Sequence, residues 1–283
     1  MSALTLPTRL PRIRRGALTH GRGLIGLVLV GLVILAGLLA PLLTPYSPDQ
    51  QISGANLLGA SAHHLFGTDE VNRDVLTRVL YGIRIDLGIC LVAVPLGAAI
   101  GGLIGLVASQ WGSADVVAQR AFDVILAFPP IILGLGLAAI TGPGVLPVVF
   151  VVIGIELPLF GRLVRGATLK VRELPYVDAA ESMGAGRTWV IRKHIIPNIA
   201  DALIVQLALS ASGAVFVDSA MNFIGVGVRP PTPSLGGVLA DAMAQLGTNN
   251  MYAVGPLLII VILVLGFQLM AQGLLAARRG GVR

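Results

Sequence analysis

The chain has 283 residues, 55% of them hydrophobic and 12% charged, with a mean hydropathy of +0.87. A soluble domain carries about 25% charged residues, so this composition excludes one and points to an all-α polytopic membrane protein. The net charge of +6 is mostly arginine, but Arg9, Arg12, Arg14, Arg15 and Arg22 precede the first apolar run and Arg278, Arg279 and Arg283 follow the last, which is the positive-inside pattern and excludes a nucleic-acid surface.

Residues 1–23 are expected to form a basic cytoplasmic tail. They resemble the n-region of a signal peptide, but the apolar run behind them is longer than the roughly 7–15 residues of an h-region, so it reads as an uncleaved anchor. Residues 24–43 carry no charge and form the first transmembrane helix. Residues 44–84 are polar and external. A transmembrane core of residues 85–277 then holds spans at Leu87–Ala108, Val124–Ile140, Val145–Gly161, Ala202–Val217 and Ala253–Ala277. Gln110–Arg120 is expected as a short polar link. A cytoplasmic loop occupies 166–199, an external loop 223–252 and a tail 278–283. Six spans place both termini on one side, and the basic termini and the segment Arg162–Lys193 make that side cytoplasmic. Arg73, Arg78 and Arg84 run against this assignment and are outweighed by the parity of the spans and the two termini.

Pro95, Pro129, Pro130, Pro147 and Pro158 interrupt the spans, as membrane helices tolerate. Gly97, Gly101 and Gly105 recur every four residues, a spacing that lets a second helix approach closely. The only lysines, Lys170 and Lys193, follow Leu169 and Arg192, so no Gly-Lys-[Ser/Thr] nucleotide loop exists. The adjacent pair His63–His64 reads as a solvated loop rather than a metal site. No G-x-S-x-G occurs, and the single cysteine, Cys90, allows no disulfide within the chain.

Asp86, Asp123, Glu156, Asp201 and Asp218 lie in or near apolar runs, where ionisable groups are costly and default to a functional hypothesis. Glu156 is clearly internal. It either lines a polar pathway, or is a buried carboxylate bonded to a neighbouring helix, or lies at the interface in a shifted span; Asp218 shares the pathway-or-packing alternative. Asp123 is expected to pair with Arg120 at i,i+3.

The longest hydrophilic stretch inside the core is Tyr176–Asn198. Pro175 suits a first helical turn; Tyr176, Ala180 and Met183 then share one face and Asp178 and Glu181 another. Gly184 and Gly186 end the helix. A second short helix covers Arg187–Ile195, and Pro197 is expected to stop it before the fifth span. The flat surface of Ala179 and Ala180, with mixed charges around it, suits docking of a cytoplasmic partner better than contact with anionic headgroups alone.

These residues resemble the EAA loop of bacterial ABC-importer permeases: Asp178-Ala179-Ala180, three intervening residues, Gly184, nine more, then His194-Ile195-Ile196-Pro197. Asp178 replaces the usual Glu, His194 an Ile and Ile196 a Leu. Leu65-Phe66-Gly67-Thr68-Asp69-Glu70 with Arg73-Asp74 resembles the GTDxxGRD segment of the dipeptide/oligopeptide (peptide/nickel) branch, DppC/OppC type, with Asn72 for Gly. Asp115, Arg120, Asp123 and Ala127-Phe128-Pro129 resemble its entry to the third span. Phe223–Val228 followed by Pro230-Pro231-Thr232-Pro233-Ser234 and Gly236 resembles its FLGLGxxPPxPSWG loop, with Leu235 for Trp.

The resemblance implies the type I ABC-importer permease fold with six transmembrane helices, and ATP-driven import of peptides. It implies ATPase coupling through Asp178, Ala179, Ala180, Glu181, Gly184, Ala185, Gly186, Arg187 and Pro197. The implied partners are a second homologous permease, two cytoplasmic ABC ATPases (or one two-headed ATPase) that hold ATP and Mg, an external substrate-binding protein, and membrane lipid. No catalytic residue, metal or cofactor is expected in this chain. An ion-coupled secondary transporter using carboxylates such as Glu156, or a membrane enzyme or scaffold, are the rival classes. Nickel, haem, glutathione or oligosaccharide are alternative cargoes within the same family.

Overall fold

The structure, a computed structural model, describes residues 21–279, with side chains through residue 277. Most of both basic tails therefore lies outside the described residues. Within them the chain is helical, and outside the helices it forms only an isolated bridge between Thr68 and Asp74. A chain in hydrocarbon must satisfy its backbone internally, and helices do so within one segment.

α1 (Gly21–Leu38) steps through Leu39 into the single turn α2 (Ala40–Leu43). α3 (Val75–Ala108) has 34 residues, about 50 Å at 1.5 Å per residue, so it overruns the roughly 30 Å hydrocarbon core. α4 (Gly112–Ala127) and α5 (Pro130–Thr141) follow, then α6 (Val145–Arg172). The polar loop contains α7 (Pro175–Ser182) and α8 (Arg187–Val190); a π-turn, Ile191–Ile195, leads without interruption into α9 (Ile196–Phe223). α10 (Leu235–Met243) is short, and α11 (Asn250–Arg279) closes the bundle.

Five segments are long and apolar enough to cross a membrane: Gly21–Leu38, Val75–Ala108, Val145–Arg172, Arg187–Phe223 and Asn250–Ala277. The expected third span, Val124–Ile140, is not one helix. It is the end of α4 plus α5, bent by 86°, and the expected polar link before it is already helical from Gly112. The cause is Pro129-Pro130. Each proline forces the residue before it out of the α region, so Phe128 (ψ 130°) and Pro129 (ψ 135°) are both extended.

Helix packing nevertheless counts this broken pair as a crossing. A Cβ on Gly97 would meet Ile153 and Glu156, one on Gly101 would meet Leu157, and one on Gly105 would meet Gly161. The contacts advance together along both chains, so α3 and α6 are parallel. Parallel spans require the intervening segment to return across the membrane. The glycine stripe is thus the seam between two spans, and Phe122 of α4 closes over it at Gly161. α1 and α11 are antiparallel, with Gly26 against Gly266 and Met270 and Arg22 bonded to Gln272 at 3.3 Å.

The segment 44–74 is tied to the bundle by polar contacts. Asp69 accepts from the backbone N–H groups of Val71 (3.0 Å) and Arg73 (2.8 Å) and pairs with the Arg73 side chain at 2.6 Å. Asn72 has φ +65°, a left-handed conformation for which Asn is the best substitute for Gly; this accounts for the departure from the family pattern there. Asp74 caps α3, accepting from Thr77 N–H at 2.8 Å. His64 is buried and holds Asp74 through Nδ1 at 2.9 Å, with Tyr46 stacked on its ring. The expectation of a solvated histidine pair fails for His64, because the Asp74 carboxylate gives its ring a buried partner. Arg78 Nη1 donates to Pro231 O at 3.2 Å, joining this segment to the Pro-rich loop. Leu235, in place of the usual Trp, is completely buried in the main core.

Candidate functional site

The polar loop has its own small core: Val164 and Val171 of α6, Val177 of α7, Val190, Ile195 and Ile199. α7 starts at Pro175, whose absent N–H costs nothing in a first turn, and it ends where Gly184 adopts φ +89°. Ala185 N–H then bonds back to Ala180 O at 3.0 Å, a Schellman-type closure. These are the turn and the glycine role expected from the sequence.

The surface differs from the expected one in two residues. Ala180 is buried on the inward face it shares with Tyr176, rather than on an open flat surface, and Met183 is 83% exposed and leaves that face. Met183 sits at the cap rather than in the helix, and the turn at Gly184 swings it outward. The result is a hollow of about 420 Å³ lined by Ala180, Met183, Gly184, Ala185, Gly186 and Trp189. Ala180 forms its floor, while Met183 and the 48% exposed Trp189 form its walls. Asp178, Ala179, Glu181 and Arg187 are exposed around it. The small residues leave an open space rather than presenting a flat plate.

The connection to the membrane is continuous. Pro197 is exposed in the first turn of α9 and does not stop the helix. It lacks an N–H, and the turn before it widens to π geometry from Ile191 to Ile195, so the missing bond is absorbed without a break. The run Arg187–Phe223 is one 37-residue segment. His194 lies between Tyr176 and Trp189, with ring centroids at 5.2 and 5.1 Å. Asn198 Nδ2 donates to His194 O at 2.6 Å and Tyr176 Oη at 3.1 Å. Trp189, His194 and Asn198 thus clamp α7 onto the foot of α9. Their roles were not drawn from the sequence, although the aromatic residues and histidine inside a short polar loop were a visible signal.

On the same side of the bundle, Arg165 forms a bidentate pair with Asp115, and Arg162 pairs with Asp123 at 2.6 Å. The expected Arg120–Asp123 pair is present at 3.6 Å but is the weaker partner. These pairs lock α4 to α6 beside the loop.

The two intramembrane candidates are enclosed by this chain's own helices. Glu156 is buried and accepts from Ser210 Oγ of α9 at 2.5 Å, and Ser210 in turn accepts from Gln206 at 3.3 Å. Asp218 is buried and accepts from Asn222 Nδ2 at 2.8 Å. Both geometries favour the packing alternative over a pathway lining. Among the described residues no three His, Cys, Asp or Glu side chains gather as a metal site.

Residues 93–279 match the family of binding-protein-dependent transport system inner membrane components, and residues 14–60 match the N-terminal transmembrane domain of oligopeptide transport permease C. The chain is 34% identical over 252 residues, 89% of this chain and 83% of the relative, to the dipeptide transport system permease protein DppC of Alkalihalophilus pseudofirmus. It is 33% identical to DppC of Haemophilus influenzae, over 89% of this chain and 88% of the relative. It is 34% identical to the glutathione transport system permease protein GsiD of Pectobacterium atrosepticum, over 86% and 81%. A chain of the MetNI methionine ABC transporter superposes with a TM-score of 0.58 at 18% identity, covering 72% of this chain and 96% of that one, and shares the fold. The chain therefore belongs to the inner-membrane permease subunits of bacterial ABC importers of the dipeptide/oligopeptide, DppC/OppC type.

Proposed function

We propose that this chain forms half of the translocation path of an ATP-driven peptide importer and receives its driving motion through the loop 166–199. The reading rests on one observation: an exposed hollow of small residues at α7–α8 is clamped to an unbroken helix that runs through the membrane. A ligand-driven partner that moves the hollow moves α9 with it. The coupling residues are Asp178, Ala179, Ala180, Glu181, Gly184, Ala185, Gly186, Arg187 and Pro197, extended by Met183, Trp189, His194 and Asn198.

The partner is a pair of cytoplasmic ATPases, which hold ATP and Mg; this chain carries no catalytic site or cofactor of its own. A second homologous permease completes the path, and an external binding protein delivers cargo to the segments 44–84 and 223–252. Both termini are cytoplasmic, and the boundaries of tails, loops and core follow the hydropathy reading. Peptide cargo is favoured by the relatives named for dipeptide transport, and glutathione is the second reading because of the GsiD relatives.

The test is substitution of Gly184 by Ile. At φ +89° a β-branched residue is strained, and the turn that shapes the hollow must change. In reconstituted vesicles containing the whole transporter, the variant is expected to insert normally, while ATP hydrolysis persists and ATP-driven peptide uptake falls at least tenfold. Uptake at the wild-type rate would overturn the assigned role of the loop.

A further inference from the structure

The outer end of the bundle contains a second pair of acids that the coupling function does not use. Asp86 of α3 is completely buried, Asp218 of α9 is 1% exposed and Ser219 beside it is 5% exposed. α3 and α9 touch where Cys90 Sγ donates to Ala211 O at 3.8 Å; Asp86 lies one turn from Cys90, and Asp218 two turns from Ala211. Between them sits the start of α10. Leu235 N–H donates to Asp86 Oδ2 at 3.0 Å, and a Cβ on Gly236 would collide with Ser219 O and the Asn222 side chain. One dipeptide, Leu235-Gly236, is therefore flanked by Asp86 on one side and by Ser219 and Asn222 on the other.

Three side-chain atoms at this junction are buried without a hydrogen-bond partner among the described residues: Asp86 Oδ1, Asp218 Oδ2 and Ser219 Oγ. No described Lys, Arg or His forms an ion pair with either acid. The other titratable neighbours add no positive charge. Cys90 is on α3, and Glu156 on α6 is committed to Ser210. On α10 the next acid is Asp241, which belongs to a separate outer group with Glu70, Asp69, Arg73 and Arg78, and Tyr252 of α11 joins that group. Two bare carboxylates in such surroundings carry a desolvation penalty that no neighbouring cation offsets. Buried polar groups of this kind are paired, protonated or bound to an ion.

We propose that Asp86, Asp218 and Ser219 form an intramembrane site for one small monovalent cation, a proton or a sodium ion, where α10 docks between α3 and α9. Two carboxylates and a hydroxyl are too few for a calcium-like ion, which takes about 6–8 oxygens. One positive charge removes the repulsion between the acids and supplies the missing partner for their free oxygens. Because Asp86 also holds the first N–H of α10, occupancy of the site sets how firmly α10 is seated. α10 begins directly after the Pro-rich loop, so the site adjusts the outer half of the permease independently of the coupling loop.

The experiment uses the whole transporter in lipid nanodiscs, with infrared spectra recorded across pH on protein carrying ¹³C-labelled aspartate, which separates these groups from Glu156. A protonated carboxyl C=O band at neutral pH that shifts with the label and disappears in Asp86→Asn or Asp218→Asn establishes the proton as occupant. A melting temperature higher in sodium chloride than in choline chloride, with the difference lost in Asp218→Asn and reduced in Ser219→Ala, establishes sodium. An Asp241→Asn background removes the one other raised outer acid from the spectrum. If the wild-type protein shows neither the labelled band nor a sodium-specific shift, the proposal is overturned, whether or not the variants fold.

Discussion

At the scale of single residues, the loop 166–199 depends on a few side chains that hold it in shape. His194 packs between Tyr176 and Trp189, and Asn198 bonds to His194 and Tyr176. Removing the ring by His194→Ala deletes two aromatic contacts, worth roughly 0.5–1.5 kcal/mol each. The expected result is faster hydrogen exchange confined to 175–198, with the spans still protected; uniform exchange across the chain would show that the clamp has no local role. A second residue-scale expectation concerns Asp241 of α10, a helix outside the candidate membrane spans. Burial, helped by Glu70, holds its carboxyl above the ordinary range, with Arg78 and Arg73 opposing. A carboxyl raised on folding binds its proton more tightly in the native state, so stability is full below the usual Asp range near pH 3.9 and falls as the pH rises through the folded value. Asp241→Asn should remove that fall: melting temperatures measured at neutral pH rise above wild type, and those at acid pH do not.

At the scale of elements, the glycine seam and the π-turn place the spans. A Cβ on Gly101 would meet the backbone of Leu157, whereas one on Gly102 would sit 3.4 Å from Val164 Cγ2, an ordinary van der Waals contact. Gly101→Ala is expected to cost about 1–3 kcal/mol, the range for overpacking a filled interior, and Gly102→Ala close to nothing. Thermal denaturation in detergent reads the difference; equal melting temperatures would contradict the seam. This stripe was legible in the sequence because its period of four matches one helix face and its residues lack side chains. The broken third span was less so. Hydropathy averages over a window and sees only that Val124–Ile140 is apolar, while the bend comes from the backbone restriction of Pro129-Pro130. Pro197 misled for the opposite reason, since a proline near a helix start is tolerated and local π geometry lets α9 run through it. His64 and Ala180 were misplaced because burial of a short loop is set by distant segments that sequence spacing does not reveal.

At the scale of the whole molecule, the chain is a set of spans with a preformed hollow at α7–α8 and, in its sequence, no Gly-Lys-[Ser/Thr] loop to bind nucleotide. The family was readable from the polar segments because their turns demand particular residues: Gly184 at positive φ, and Asp69 and Asp74 as backbone acceptors. The hollow between Met183 and Trp189 was not, since it arises from the exit angle of a turn. Its purpose can be measured directly. The one native cysteine, Cys90, is buried, so Met183→Cys provides a single exposed thiol at the wall of the hollow. With the complete transporter in vesicles, a short thiol-reactive photocrosslinker at this position should capture the ATPase subunit, and the yield should change on addition of ATP. Capture of lipid alone, or a yield no greater than from a thiol at the exposed residue Leu58 of the segment 44–74, would contradict the claim that this loop receives the motor.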